Sequence, residues 1–163
     1  MTPVRHTPVS KFLAPILTVG AVSASLFVSS QARADLNTSV AEYVQTAQII
    51  GQQLVILKKN APSCGMIGGQ IGGRMEESII GQRKEVEIVL NAVKQGKAGQ
   101  GTIHSRIIEA EKSNAELKSN LSMARYGLTT ENSTCKLASV AFDTMVSQTL
   151  TIPKKLKSIL TAL

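Results

Sequence analysis

Apolar side chains between residues 40 and 163 recur every three or four positions, which is the period of one face of an α-helix. Strict alternation of apolar and polar residues, the pattern of a half-buried strand, is absent from this part of the sequence. Breaks rich in glycine, proline or threonine divide the helical pattern into separate segments. The sequence therefore predicts an all-α fold, a helical bundle.

The first predicted helix begins at Ser39 and ends near Lys59. Ser39 and Glu42 have the spacing of a capping box, in which each side chain bonds the backbone amide of the other residue. One apolar stripe runs along this helix and includes Val40, Tyr43, Val44, Ala47, Ile50, Leu54 and Leu57. Ile49 and Ile56 lie outside that stripe, so we expect them to contact either another helix or a partner.

Two long segments in the middle of the chain are predicted to form the central helices of the bundle. The second helix runs from about Arg74 to Gln95, and the third begins near Thr102. The third has a heptad seam of Ile103, Ile107, Ala110, Asn114, Leu117, Leu121, Ala124 and Leu128. Asn114 interrupts this apolar seam, which indicates either a hydrated position or a polar group that fixes the register between helices.

A fourth helix is predicted from about Cys135 to Leu150, and a short amphipathic helix follows from Pro153. The inward positions predicted for the fourth helix are Leu137, Val140, Ala141, Phe142 and Met145. The short helix has an apolar arc, with Lys154, Lys155 and Lys157 outside it. A free arc would bind an anionic membrane surface, whereas a packed arc would complete a small core. We favour packing.

The segment between the first two predicted helices, SCGMIGGQIGGR at residues 63–74, contains five glycines. A phosphate-binding loop would need a lysine and a serine or threonine after the glycines, and this segment has neither. The four-residue spacing of Gly68 and Gly72 would suit a close helix contact. Each helical glycine costs about 1 kcal/mol relative to alanine, however, so a glycine-rich strap is the favoured prediction.

The first 34 residues have the pattern of a cleaved secretory signal peptide. Arg5 and Lys11 precede an uncharged apolar run at residues 12–28, and Ala32-Arg33-Ala34 resembles a signal-peptidase site. The alternative is a retained membrane anchor. We expect a single mature domain at 35–163, in the periplasm or outside the cell. Three of the 18 basic residues and none of the 11 acidic ones lie in residues 1–34, so the net charge falls from +7 to +4.

The mature chain has two cysteines, Cys64 and Cys135. In an oxidising compartment an even pair of cysteines usually forms a disulfide, and we predict one here. The alternative, two free thiols with a catalytic or haem-binding role, lacks the CxxC or CxxCH spacing that such chemistry uses.

Candidate catalytic chemistry is sparse in the mature chain. Its one histidine, His104, lies beside Ser105 in one helical turn, where the two side chains point apart. Metal sites need clustered His, Cys, Asp or Glu, and the sequence offers none. We therefore expect no enzyme activity, no cofactor and no metal, and the charge gives no nucleic-acid signature.

Two function classes fit these features. The first is an exported structural or interaction protein of the bacterial envelope or secreted fraction, which binds an envelope or secreted protein through a helical face. A long helical hairpin in an exported protein resembles, in layout alone, minor pilus components of type IV secretion systems, which implies an accessory role in secretion or conjugation. The alternative is a membrane-surface binder that uses the basic C-terminal helix. The candidate interaction residues are Ile49, Ile56, Lys154, Lys155 and Lys157.

Overall fold

The structure, a computed structural model, describes residues 17–128 and 133–163, with side chains from residue 31 onward. Its helices are α1 (Leu17–Asn60), α2 (Gly65–Lys94), α3 (Gln100–Tyr126), α4 (Ser133–Thr149) and α5 (Ile152–Ala162), with 3₁₀ helices at Ala61–Cys64 and Gly96–Gly99. Within these residues no strand is present, which confirms the all-α prediction. The helices α2 and α3 are the two long central helices that the sequence predicted.

Contacts divide the chain into two units, Met1–Ala34 and Asp35–Leu163, and the core belongs to the second. Residues 1–16, which include Arg5 and Lys11 of the predicted signal peptide, lie outside the described part of the chain. The predicted start of the first helix at Ser39 was wrong, because α1 passes through that residue without a break. Residues 31–34, Gln-Ala-Arg-Ala, are good helix formers and extend the helix towards the amino terminus.

Among the described residues, the core consists of three apolar clusters. One surrounds the cysteines and contains Leu57, Ala61, Leu128, Ala138, Ala141, Phe142 and Val146. A second joins α1, α2, α3 and α5 through Tyr43, Val89, Ala92, Ile103, Ile107, Leu156 and Ile159. A smaller cluster of Ile50, Leu54 and Ile79 links α1 to α2. The predicted stripe of α1 thus supplies residues to all three clusters.

Asn114 lies in α3 between Ile107, which belongs to the second cluster, and Leu117, which packs against the first cluster. It is 8% exposed, and its Nδ2 donates to the backbone carbonyl of Leu150, 3.5 Å away. That carbonyl is at the carboxyl end of α4, where helix carbonyls have no intrahelical partner. Asn114 therefore links α3 to the end of α4, but its Oδ1 is buried without a hydrogen-bond partner among the described residues, so both interpretations of this position stay open.

The glycine-rich segment is helical, so the predicted strap at 63–74 was wrong. A Cβ atom on Gly68 would lie 2.3 Å from the carbonyl oxygen of Ala61, and one on Gly72 would lie 2.7 Å from the ring of Pro62. These two glycines let the first turns of α2 lie directly on the Ala61–Cys64 3₁₀ helix. Packing on that side offsets the helical cost of glycine, so the alternative of a close helix contact at Gly68 and Gly72 applies in place of the strap.

Replacing either of two neighbouring glycines in α2 by alanine should change the free energy of unfolding, in opposite directions for the two positions. Gly68→Ala should lower the free energy of unfolding by about 1–3 kcal/mol, because its Cβ would overlap backbone. Gly69→Ala should raise it by up to about 1 kcal/mol, because nothing lies within 4 Å of the added atom. Urea denaturation of both variants measures the difference. Equal effects of the two substitutions would contradict the close contact at Gly68.

Cys64 and Cys135 form the predicted disulfide, with their Cα atoms 5.4 Å apart. The bond joins the 3₁₀ helix after α1 to the first turns of α4. Both cysteines are buried in the first apolar cluster. The disulfide therefore connects parts of the chain that are 71 residues apart and fixes which side of α4 faces inward.

The inward face predicted for α4 was partly wrong. Ala141 and Phe142 are buried as expected, but Leu137 is 59% exposed and Val140 is 65% exposed. Cys135 is fully buried by its disulfide, and a residue two positions further along lies about 200° around the helix. Leu137 therefore points outward, and small residues such as Ala138 occupy the inner positions instead.

Candidate functional site

The basic C-terminal helix α5 is packed on the bundle, as favoured from the sequence. Leu156 is 2% exposed and Ile159 is fully buried. The partly buried side chains of Ile152, Leu160 and Leu163 pack against the same cluster. The apolar arc that a membrane-surface helix would need is thus part of the core.

Two of the three candidate lysines of α5 form ion pairs with the bundle. Lys155 Nζ lies 2.9 Å from Glu42 Oε2 of α1, and Lys157 Nζ lies 2.7 Å from Glu111 Oε1 of α3. Lys154 is exposed and forms no ion pair within the described residues. Exposed ion pairs contribute about 0–1 kcal/mol each, so these lysines orient the helix more than they stabilise it.

The two candidate isoleucines of α1 are placed at the margin of the fold. Ile49 is half-buried and Ile56 is 36% exposed. Glu42, seven residues before Ile49, bonds Lys155, so this side of α1 faces α5. The structure does not bring Ile49 or Ile56 into a cavity with the lysines.

A groove lies instead along the other side of α1, between α1 and α2, and has a volume of about 670 Å³. Its α1 wall contains Val44, Ala47, Gln48, Gly51, Gln52 and Val55, and its α2 wall contains Ile79, Gln82, Arg83 and Val86. The lining combines aliphatic side chains with three neutral amides and one positive charge. The groove is partly open to solvent and is not an enclosed cavity.

Gln82 crosses the groove and connects its two walls. Its Nε2 donates to the backbone carbonyl of Ala47 on α1. A Cβ atom on Gly51 would lie 3.2 Å from Gln82 Oε1, so the glycine makes room for this side chain. The bond fixes the separation of α1 and α2 along the groove.

An ion pair between α1 and α2 lies one to two turns before Arg83. Lys58 Nζ donates to Glu76 Oε2, and this bond is the main reason that the pKa of Glu76 is lowered. The positive charge of Arg83 also lowers that pKa, as a smaller cause. Glu76 bonds Lys58 directly, and Arg83 forms no ion pair with any described residue.

Within the described part of the chain, no group of three or more His, Cys, Asp or Glu side chains could hold a metal ion. His104 is exposed in the first turns of α3, and Ser105 bonds its own helix at the carbonyl of Gly101. The described helices also include none that is long and apolar enough to cross a bilayer.

The most perturbed titratable group described is the phenol of Tyr43 in the core. Burial, with a smaller effect from the negative charge of Glu85, raises the pKa of Tyr43 to about 12. An unfolded tyrosine titrates near pH 10, so the folded state keeps its proton over a range in which the unfolded state loses it. The stability that this proton affinity contributes is therefore complete below pH 10 and is lost as the pH rises towards 12.

The free energy of unfolding should fall by roughly 2 kcal/mol between pH 10 and pH 12 because of Tyr43 alone. A Tyr43→Phe variant has no phenol at this position and should lack that part of the decrease. Urea melts of both proteins at intervals across this range provide the measurement. Identical pH profiles for the two proteins would contradict the raised pKa.

The groove was not predicted from the sequence, although the sequence contains a signal for it. Gln48, Gly51, Gln52 and Val55 recur at three- and four-residue steps, which places them on one side of α1 next to the core stripe. Without knowledge of the facing helix, these glutamines cannot be distinguished from ordinary solvent-exposed residues.

Comparison with protein-family models, with curated proteins and with solved structures found no match.

Proposed function

We propose that the protein is an exported, non-enzymatic interaction protein of the bacterial cell envelope or secreted fraction, and that it acts through the face formed by α1 and α2. The observation that carries the proposal is the groove between these helices, whose lining combines aliphatic side chains that range from buried to exposed with amides and a cation. Binding surfaces commonly combine apolar contact area with a few convergent polar groups.

Export is supported by the sequence of residues 1–34 and by the chemistry of the cysteines. An apolar run that ends in Ala32-Arg33-Ala34 is the pattern that a signal peptidase cleaves. A disulfide such as Cys64–Cys135 persists in oxidising compartments and is rare in the cytosol. A binding role in the envelope follows from these two features together with the groove.

The test combines cell fractionation with a measurement of the size of the native complex. The exported protein should have the intact mass of a chain that begins at Asp35, and in mild detergent it should elute in a complex larger than the single chain. Gln52→Trp, which fills the groove, should release the protein from that complex, whereas Lys112→Trp on the exposed surface of α3 should not.

Two results would contradict the proposal. Retention of residues 1–34 on a protein that stays in the cytoplasm would exclude export. Elution of the wild-type protein as a single chain from every fraction, unchanged by Gln52→Trp, would exclude an interaction through the groove.

A further inference from the structure

The disulfide is the closest connection between α4 and the rest of the bundle. The backbone of α4 lies nearest to the 3₁₀ helix Ala61–Cys64, to which Cys135 is bonded, and it approaches α3 at fewer positions. Both cysteines are buried at that contact, which lies in the first turns of α4. The attachment of α4 is therefore concentrated at the disulfide end of the helix.

Polar contacts contribute little to holding α4. Arg125 of α3 pairs with Asp143 of α4 across 2.9 Å, but the two side chains are 52% and 50% exposed. An exposed ion pair of this kind adds little stability, because water screens both charges. At the other end of α4, Asn114 lies 3.5 Å from the Leu150 carbonyl, which is longer than an ordinary hydrogen bond.

The inner side of α4 also buries little apolar surface for a helix of 17 residues. Its larger side chains Leu137 and Val140 face solvent. The buried side chains of α4 are Cys135, Ala138, Ala141, Phe142 and Val146. Because hydrophobic stabilisation follows the apolar area removed from water, the two alanines contribute less than a leucine or an isoleucine would. The non-covalent attachment of α4 thus depends mainly on two side chains.

The other four helices are held together by contacts that do not pass through α4. Among the described residues, the second apolar cluster joins α1, α2, α3 and α5 and includes no residue of α4. In that cluster α5 buries Leu156 and Ile159, although it has only 11 residues. The ion pairs of Lys155 and Lys157 join the same helix to α1 and α3. These contacts remain when the disulfide is broken.

We propose that the Cys64–Cys135 disulfide is a redox switch for α4, in which reduction by a dithiol releases α4 while α1, α2, α3 and α5 stay packed. One thiolate of the dithiol attacks a sulfur of the disulfide, and its second thiolate then displaces the protein from the mixed disulfide. The dithiol leaves as a cyclic disulfide, having given two electrons, and each cysteine takes up a proton. The chain still joins α4 to α3 and α5, so reoxidation returns the helix to its place.

Release of α4 changes the surface that the protein presents. Leu57 and Ala61 are fully buried and Leu128 is 1% exposed, and all three belong to the cluster that α4 covers. The reduced protein therefore exposes apolar side chains that the oxidised protein keeps from water. This inference goes beyond the proposed function, since the groove is lined by residues of α1 and α2 alone.

Hydrogen exchange followed by mass spectrometry tests the release on the purified exported protein, either oxidised or reduced with dithiothreitol. Amides of residues 138–146 in α4 should exchange about a hundredfold faster after reduction. Amides of α5 and of residues 103–110 in α3 should change by less than about threefold, and they are the control within the same sample. Reoxidation should restore the protection of α4.

Tryptophan fluorescence gives a second measurement, because the chain contains no tryptophan of its own. Phe142→Trp places one on the inner side of α4, and Tyr43→Trp places the matched control in the second cluster. Reduction should shift the emission of Phe142→Trp towards that of tryptophan in water and leave that of Tyr43→Trp unchanged.

Two results would overturn the inference. Protection of α4 that survives reduction in the wild-type protein would show that non-covalent contacts are sufficient to hold the helix. Loss of protection in all five helices together would show that the disulfide supports the whole fold and does not control α4 alone. Equal shifts of the two tryptophan variants would lead to the same conclusion as the second result.

Discussion

Replacing Cys64 and Cys135 together by alanine should lower the free energy of unfolding by about 4 kcal/mol. The two residues are 71 positions apart, so the bond removes a large loop-closure entropy from the unfolded chain. A typical domain has only about 5–15 kcal/mol of net stability, so the loss would be a large share of the total. Chemical denaturation of the wild-type and double-variant proteins measures it.

Reduction of the wild-type protein is the matched control, because it breaks the bond and leaves both side chains in place. The reduced protein should lose a similar amount of stability. Alkylation without a reductant, followed by mass spectrometry, should find neither cysteine labelled. Labelling of both cysteines, or a stability change below about 1 kcal/mol in both comparisons, would contradict a structural disulfide.

Leu156→Ala in α5 should lower the free energy of unfolding by about 2–5 kcal/mol. The side chain is 2% exposed and packs in the cluster that joins α5 to α1, α2 and α3. Lys154→Ala, two residues earlier and exposed, should change stability by no more than about 0.5 kcal/mol. Thermal or urea unfolding of the two variants provides the comparison.

The same variant distinguishes the packed helix from the membrane-surface alternative. With the apolar arc of α5 in the core, the wild-type protein should bind vesicles that contain phosphatidylglycerol weakly or not at all. Unchanged stability of Leu156→Ala, together with vesicle binding that weakens as salt rises, would show that the arc is free. That result would support membrane-surface binding in place of the proposed role.

The helical fold could be predicted from the sequence because its apolar residues follow one period throughout. Most of the stripe of α1 is buried where the pattern placed it, and α5 packs as favoured. In the seam of α3, Ile103, Ile107 and Leu128 are buried, but Leu117 and Leu121 are only partly buried. The errors arose where a long-range contact overrides a local pattern. The disulfide of Cys135 turns Leu137 outward, and contact with Ala61 and Pro62 makes a helix of a glycine-rich segment.

The candidate site was less predictable than the fold. The sequence pointed to the lysines of the C-terminal helix and to Ile49 and Ile56, which lie outside the stripe of α1. In the structure, the two isoleucines lie at the margin of the fold, and Lys155 and Lys157 form ion pairs with the bundle. A groove depends on the distance between two helices, and no local pattern encodes that distance. Here it is set in part by Gln82, whose bond to Ala47 becomes visible only when α1 and α2 are placed side by side.

Photo-crosslinking in expressing cells tests most directly whether the α1–α2 groove is the binding face. An aliphatic diazirine amino acid replaces Val55, which lines the groove and is 52% exposed, or, as the matched control, Lys112 on the exposed surface of α3. The proposed function predicts a discrete crosslinked product from Val55 that Gln52→Trp diminishes, and little or none from Lys112. Products of equal yield from both positions, or a product from Lys112 alone, would contradict it.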